Sequence, residues 1–169
     1  MGVTAPELLT ETHDLSDFDC GRPELNDWLV KKALKSQQRN NAKVYIVTDS
    51  NTAKVIGYYA IAMGSVQREG AIAALRRNSP SPIPMIVLAR LAVNDSHHGK
   101  GIGVGLLKDC VKRSVYAMNV VGGAGILVHA IDDSAKDFYT RFGFKESTFD
   151  PMLLMARVKD IEAAQKVLI

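Results

Sequence analysis

Apolar residues along the chain fall into short blocks whose spacing switches between that of strands and that of helices. Leu8-Leu9-Thr10 predicts a short first strand. Arg22-Pro23-Glu24 opens a helix expected to reach about Asn40, with Pro23 in its first turn. Within it Leu25, Trp28, Leu29 and Ala33 form an i, i+3, i+4, i+8 stripe, which predicts a buried face. Lys43 to Thr48 reads as a strand, Asp49-Ser50-Asn51 as a turn, and Lys54 to Ala62 as the hairpin partner. Glu69 to Arg77 predicts a short helix ended by Asn78-Ser79-Pro80-Ser81-Pro82. Met85 to Val93 is a long apolar run, the expected central strand, and Gly103 to Val120 the expected long helix. Ile126 to Ala130 predicts a strand, Asp133 to Arg141 a helix, and Met152 to Val158 a last strand. Glu162 to Leu168 reads as a terminal turn or tail. Strands alternating with helices after an early hairpin predict an α/β (α+β) chain, with a mixed sheet covered on both faces. No repeat and no linker interrupts it, so a single domain over residues 1–169 is expected.

Composition narrows this little. With 47% hydrophobic residues in 169, the chain can bury a sizeable core. No basic stretch followed by an apolar one opens the sequence, and the apolar run in the centre is broken by Arg90. Cys20 and Cys110 lack metal-ligand spacing and read as free thiols of a reducing compartment. A cytoplasmic protein with no membrane partner and no metal is the expectation. The net charge of +3 is mild, so where the charges sit matters more than their sum.

Candidate chemistry concentrates after the central run, in His98-Gly99-Lys100-Gly101-Ile102-Gly103-Val104-Gly105. A strand, a glycine-rich turn and a helix make a phosphate cradle, because the first helical N–H groups lack partners and the dipole makes that end positive. A nucleotide-binding P-loop would need Ser or Thr after Lys100, where Gly101 stands. The alternating glycines also miss the dinucleotide spacing, and Val121 occupies the place of its acidic residue. His98-x-x-Gly101-x-Gly103 instead resembles motif A of the GCN5-related N-acetyltransferases (GNAT), with His98 where that family has Gln or Arg. Asp137-Phe138-Tyr139-Thr140-Arg141-Phe142-Gly143-Phe144 is similar to the family's Phe-Tyr-x-x-x-Gly-Phe, on a helix that Asp132-Asp133-Ser134 can cap. The resemblance implies the GNAT fold, a mixed and mostly antiparallel sheet with splayed central strands flanked by helices. It also implies acetyl-CoA as the cofactor, held by Leu91, Ala92 and Val93, by His98, Gly99, Lys100, Gly101, Ile102, Gly103, Val104 and Gly105, and by Asp133, Ser134 and Phe138. Tyr139 is the implied catalytic residue, its hydroxyl near the sulfur of CoA.

A second set of motifs narrows the resemblance. Phe18-Asp19-Cys20-Gly21 and Leu25-Asn26-Asp27-Trp28-Leu29 resemble the N-terminal signature of the acetyltransferase toxins of bacterial type II toxin–antitoxin modules. Leu75-Arg76-Arg77-Asn78, Pro82-Ile83-Pro84, Arg90-Leu91-Ala92-Val93, Val128-His129-Ala130 and Asp150-Pro151-Met152 extend that likeness over nearly the whole chain. It implies acetylation of the α-amine of aminoacyl-tRNA, which blocks translation. It further implies a homodimer neutralised by a ribbon–helix–helix antitoxin, with operator DNA bound through the antitoxin.

Two readings of the residues bear on the acceptor. No Glu or Asp lies between Met85 and Val93. A lysine acceptor, with a pKa near 10.4, calls for a base; an α-amine, with a pKa near 8, is partly neutral already. His129 is either a base or a structural strand residue. Lys31, Lys35 and Arg39 recur every four residues, with Lys32 beside them, and Arg76, Arg77 and Arg90 lie around the central run. These six, Lys32 aside, are either a tRNA phosphate surface or an ordinary solvated face. The alternative function is acetylation of a small-molecule amine or a protein N-terminus. A third is a CoA- or operator-binding subunit without catalysis, against which an intact Tyr139 argues.

Overall fold

The computed structural model describes residues 2–168, with side chains through Ala163. In chain order it has β1 (Glu7–Leu8), α1 (Pro23–Lys31), α2 (Ala33–Gln38), β2 (Lys43–Thr48), β3 (Val55–Val66), α3 (Ala73–Arg76) and β4 (Ile83–Val93). These are followed by α4 (Ile102–Val121), β5 (Gly125–His129), α5 (Asp133–Arg141), β6 (Lys145–Glu146), β7 (Leu153–Arg157) and α6 (Val158–Leu168). The strands are ordered β1-β2-β3-β4-β5-β7-β6. β4 and β5 pair in parallel, from Met85↔Gly125 to Leu88↔Val128. The β1–β2, β2–β3, β5–β7 and β6–β7 pairs are antiparallel, so the sheet is mixed and mostly antiparallel, as expected.

By contacts the chain divides into two compact units: Met1–Ala62 with Ala89–Cys110, and Met63–Leu88 with Val111–Ile169. In the first, Leu25, Leu29 and Ala33 of the α1–α2 stripe pack with Val44, Ile46, Val55, Tyr58 and Ala92. Each fully buried leucine contributes roughly 2 kcal/mol. β3 is buried continuously from Val55 to Ile61, as befits a strand covered on both faces. Gly57 in that strand sets the approach of the long helix. A Cβ there would lie 3.1 Å from Leu106 Cδ1 and 3.4 Å from Ile102 Cγ2, so the missing side chain lets the first turns of α4 lie close against β3. In the second unit Ile72, Leu75, Ile83, Met85, Leu127 and Met155 form a separate cluster.

Four expectations change. The helix expected from Arg22 to Asn40 is two helices broken at Lys32, whose φ of −125° is not helical. The bonds from Lys32 N–H to Trp28 O (2.9 Å) and from Ser36 N–H to Lys32 O (2.9 Å) span the break, so the apolar phase carries through it. The helix expected over Glu69–Arg77 is a 3-10 turn, Arg68–Gly70, followed by α3. The short strand β6 was not expected. The expected terminal turn or tail is part of α6, anchored by buried Ile161 and by an ion pair from Arg157 to Asp160 (3.1 Å). Among the described residues no helix is long and apolar enough to cross a membrane, and no group of three or more metal-ligating side chains occurs.

Candidate active site

The glycine-rich segment leaves β4 at Val93, makes a 3-10 turn over Asp95–His97 and enters α4 at Ile102. Gly99 and Gly101 take φ values of +77° and +78°, the left-handed region that glycine enters without steric cost. Gly105 N–H closes the first helical turn on Gly101 O at 3.0 Å. The N–H groups of Ile102, Gly103 and Val104 therefore head the helix, ahead of any carbonyl one turn back. A Cβ built on Gly99, Gly101 or Gly105 meets nothing within 4 Å, so this backbone faces open space. A pyrophosphate fits such a place: main-chain donors at a positive helix end and no side chain in the way. His98, Gly99, Lys100 and Gly101 are exposed, Ile102, Gly103 and Val104 half-buried. Leu91 and Val93 are half-buried and Ala92 is buried in the first core.

His98 is not simply a shortened stand-in for Gln or Arg. Its Nε2 lies 2.7 Å from Val93 O and 3.6 Å from Asp95 Oδ1, so the ring engages the end of the strand. Its neighbour His97 bonds through Nε2 to Asp49 Oδ2 at 3.2 Å, and through Nδ1 to Ser96 Oγ at 2.8 Å. The Asn51 backbone N–H and then His97 hold the Asp49 carboxyl below its usual range, against the opposing effect of burial. In the sequence Asp49 is a turn residue and His97 carries no signal; nothing in their spacing announces a pair 48 residues apart.

In the second unit α5 is defined at both ends. Asp132 caps it, accepting from Ala135 N–H at 2.8 Å. At its end Gly143 adopts φ +93°; Gly143 N–H bonds to Thr140 O at 3.1 Å and Phe144 N–H to Tyr139 O at 3.3 Å. This is a Schellman motif, and the apolar contact that accompanies it is Tyr139 against Phe144, with ring centroids 5.7 Å apart. The Phe-Tyr-x-x-x-Gly-Phe pattern is thus the sequence of a helix terminus. It fixes Tyr139, which is 6% exposed and also meets Phe138 at 5.2 Å. Asp133 and Ser134 are exposed in the first turn and Phe138 is half-buried. His129 is exposed at the end of β5, 3.7 Å from Asp150 Oδ2.

The six cations are distributed over both units. Lys31, Lys35 and Arg39 are exposed in the first, Lys31 within 3.7 Å of Asp27 Oδ1. Arg90, also in the first, lays its guanidinium over Trp28, 4.1 Å from the ring centroid. Trp28 in turn stacks on Tyr58 at 6.0 Å and 13°. The Tyr58 hydroxyl donates to Leu25 O at 2.8 Å, and burial pushes its pKa well up. Arg76, half-buried, and Arg77, exposed, belong to the second unit.

Comparison with known proteins identifies the family. Residues 40–146 match the model of the acetyltransferase (GNAT) domain. The chain is 39% identical over 162 residues to a tRNA-acetylating toxin of Mycobacterium tuberculosis, covering 96% of each. It superposes on AtaT complexed with acetyl-methionyl-tRNAfMet with a TM-score of 0.87, at 27% identity over 96% of this chain and 98% of that one. A Tyr→Phe variant of AtaT bound to the C-terminus of the antitoxin AtaR and acetyl-CoA gives a TM-score of 0.79, at 29% identity over 95% and 96%. The chain belongs to the GNAT acetyltransferases, and within them to the family of the tRNA-acetylating toxins.

Proposed function

We propose that the protein is an acetyl-CoA-dependent N-acetyltransferase that modifies the α-amine of an aminoacyl-tRNA and so blocks translation. The observation that carries the donor half is the head of α4, where two left-handed glycines clear the approach to unpaired helical N–H groups. The acceptor half is supported by the kinship with the tRNA-acetylating toxin and by a β4 that holds no carboxylate. Acetyl-CoA supplies an acetyl group on a good leaving sulfur. The N–H groups of Ile102, Gly103 and Val104 hold its pyrophosphate, and main-chain N–H groups around Leu91 to Val93 orient and polarise the carbonyl. His98 keeps the end of that strand in place through Val93 O. The neutral amine forms the C–N bond as the C–S bond breaks. Tyr139 gives its phenolic proton to the sulfur, and the nitrogen's surplus proton leaves to water, which returns one to Tyr139. Asp133, Ser134 and Phe138 line the cofactor from α5. Lys31, Lys35, Arg39, Arg76, Arg77 and Arg90 hold tRNA phosphates, giving affinity without base readout.

The protein acts in the cytoplasm as a homodimer. A ribbon–helix–helix antitoxin neutralises it, and the pair binds operator DNA. The test is to incubate total charged tRNA with labelled acetyl-CoA and the protein, then identify the labelled amino acid. Label on the aminoacyl group is the expected result. Label confined to small amines or protein N-termini, with none on tRNA, would overturn this reading in favour of the second function.

A further inference from the structure

The N-terminal signature Phe18-Asp19-Cys20-Gly21 and Asn26 has no part in the chemistry described so far. In the fold it is joined to the segment that delivers the chain into the glycine loop. Asp19 N–H donates to Asn94 Oδ1 at 2.7 Å, and Asp95 N–H donates back to Asp19 O at 2.8 Å. The Asp19 carboxylate accepts from Gly21 N–H at 2.9 Å and from Asn26 Nδ2 at 3.0 Å. Asn26 Oδ1 accepts from Cys20 N–H at 2.9 Å. These bonds set the conformation of residues 19–26, and Asn94 receives it. Asn94 is also held from behind, its N–H on Ile56 O at 2.8 Å, and its Nδ2 donates to Ser96 Oγ at 2.6 Å. Ser96 Oγ meets His97 Nδ1, which continues the chain of bonds to Asp49.

The glycine loop gives this arrangement a purpose. Two glycines one residue apart, Gly99 and Gly101, lose more conformational freedom on ordering than any other residues would. A loop that must aim several N–H groups at one anion needs its ends fixed by something else. α4 fixes the far end, packed on Gly57. Asn94 stands at the near end, between the last residue of β4 and the 3-10 turn.

We propose that Asn94, bound to Asp19, whose carboxylate Asn26 holds, is a positioning residue that aims the glycine loop at the acetyl-CoA pyrophosphate, and that this is what the N-terminal signature is for. The proposal rests on the reading of that loop as the cofactor site. Its mark is a selective loss of cofactor affinity. Deleting the Asn94 amide frees the loop entrance without touching acceptor or proton donor. With one hydrogen bond lost, acetyl-CoA should bind roughly two- to thirteenfold more weakly.

The experiment measures acetyl-CoA binding by calorimetry, and KM and kcat for tRNA acetylation, in the wild type, Asn94→Ala, Asn94→Asp, Asp19→Ala and Gly103→Glu. Asn94→Ala should raise both Kd and KM for acetyl-CoA and leave kcat at saturating acetyl-CoA and KM for tRNA unchanged. Asn94→Asp keeps an oxygen for Asp19 N–H but loses the donor to Ser96 Oγ, and should recover part of the affinity. Asp19→Ala leaves the main-chain bonds in place and should show a smaller loss with the same signature, which covers the case of Asn94→Ala failing to fold. Wild-type affinity in both alanine variants would overturn the proposal. So would a fall in kcat with KM unchanged, or an Asn94→Asp variant no better than Asn94→Ala. In each of those cases, loss of binding in Gly103→Glu would leave the cofactor site itself standing. A wild type that binds no acetyl-CoA would overturn the functional reading and the proposal together.

Discussion

A single oxygen separates the two roles that the aromatic pair on α5 can play. Tyr139 is buried against Phe138 and Phe144, and its ring serves the helix terminus whatever its hydroxyl does. Tyr139→Phe keeps that ring. The variant should fold and bind acetyl-CoA like the wild type, yet lose about 10²–10⁴-fold in turnover, the usual worth of a general acid. Single-turnover acetylation of charged tRNA measures this, and growth of a host without antitoxin gives a second reading. A variant that acetylates at full rate would reduce Tyr139 to packing. His98 makes the converse point. A residue that motif comparison treats as a departure has a partner of its own in the Val93 carbonyl, which no spacing rule foresees.

At the level of elements, α5 illustrates what a sequence displays openly. Its bounds, Asp133–Arg141, match expectation because both ends carry local chemistry: an aspartate that caps and a glycine that can turn left-handed. Asp132→Ala removes the cap and should destabilise the protein by about 1 kcal/mol. For a chain of this size that lowers the melting temperature by about 2–4 °C, readable by circular dichroism. An unchanged melting temperature would mean that neighbouring packing alone holds the helix. The break at Lys32 was invisible for the opposite reason. No glycine or proline marks it, and the bonds on either side preserve the helical phase, so the periodicity of Leu25, Leu29 and Ala33 continues undisturbed. α6 is hidden in the sequence because Val158 also continues the apolar run of the preceding strand, although Val158 and Ile161 stand three apart. The glycine turn at the head of α4 and the helix end that holds Tyr139 were legible because their spacing is local. Asp19 with Asn94, and Asp49 with His97, were not, because they meet across 75 and 48 residues and each is an ordinary polar residue in its own neighbourhood.

At the scale of the whole molecule the open question is where a nucleic acid would bind, and salt answers it. Lys35→Ala/Arg39→Ala and Arg76→Ala/Arg77→Ala each remove two cations, the first pair from one compact unit and the second from the other. If all four hold phosphates, each double variant should weaken tRNA acetylation and flatten its salt dependence, by roughly one unit of slope per lost contact. Acetyl-CoA affinity should not change, since the proposed cradle is main-chain amide. A pair that leaves both rate and slope untouched is a solvated face. The strand order carries a different consequence. β7 lies between β5 and β6, although it follows both in the chain. A copy whose synthesis halts after Glu146 but before Leu153 holds the two outer strands and lacks the one that joins them. Assembly of that sheet edge therefore waits for β7 to be made, and a chain cut short before it leaves β5 and β6 unjoined.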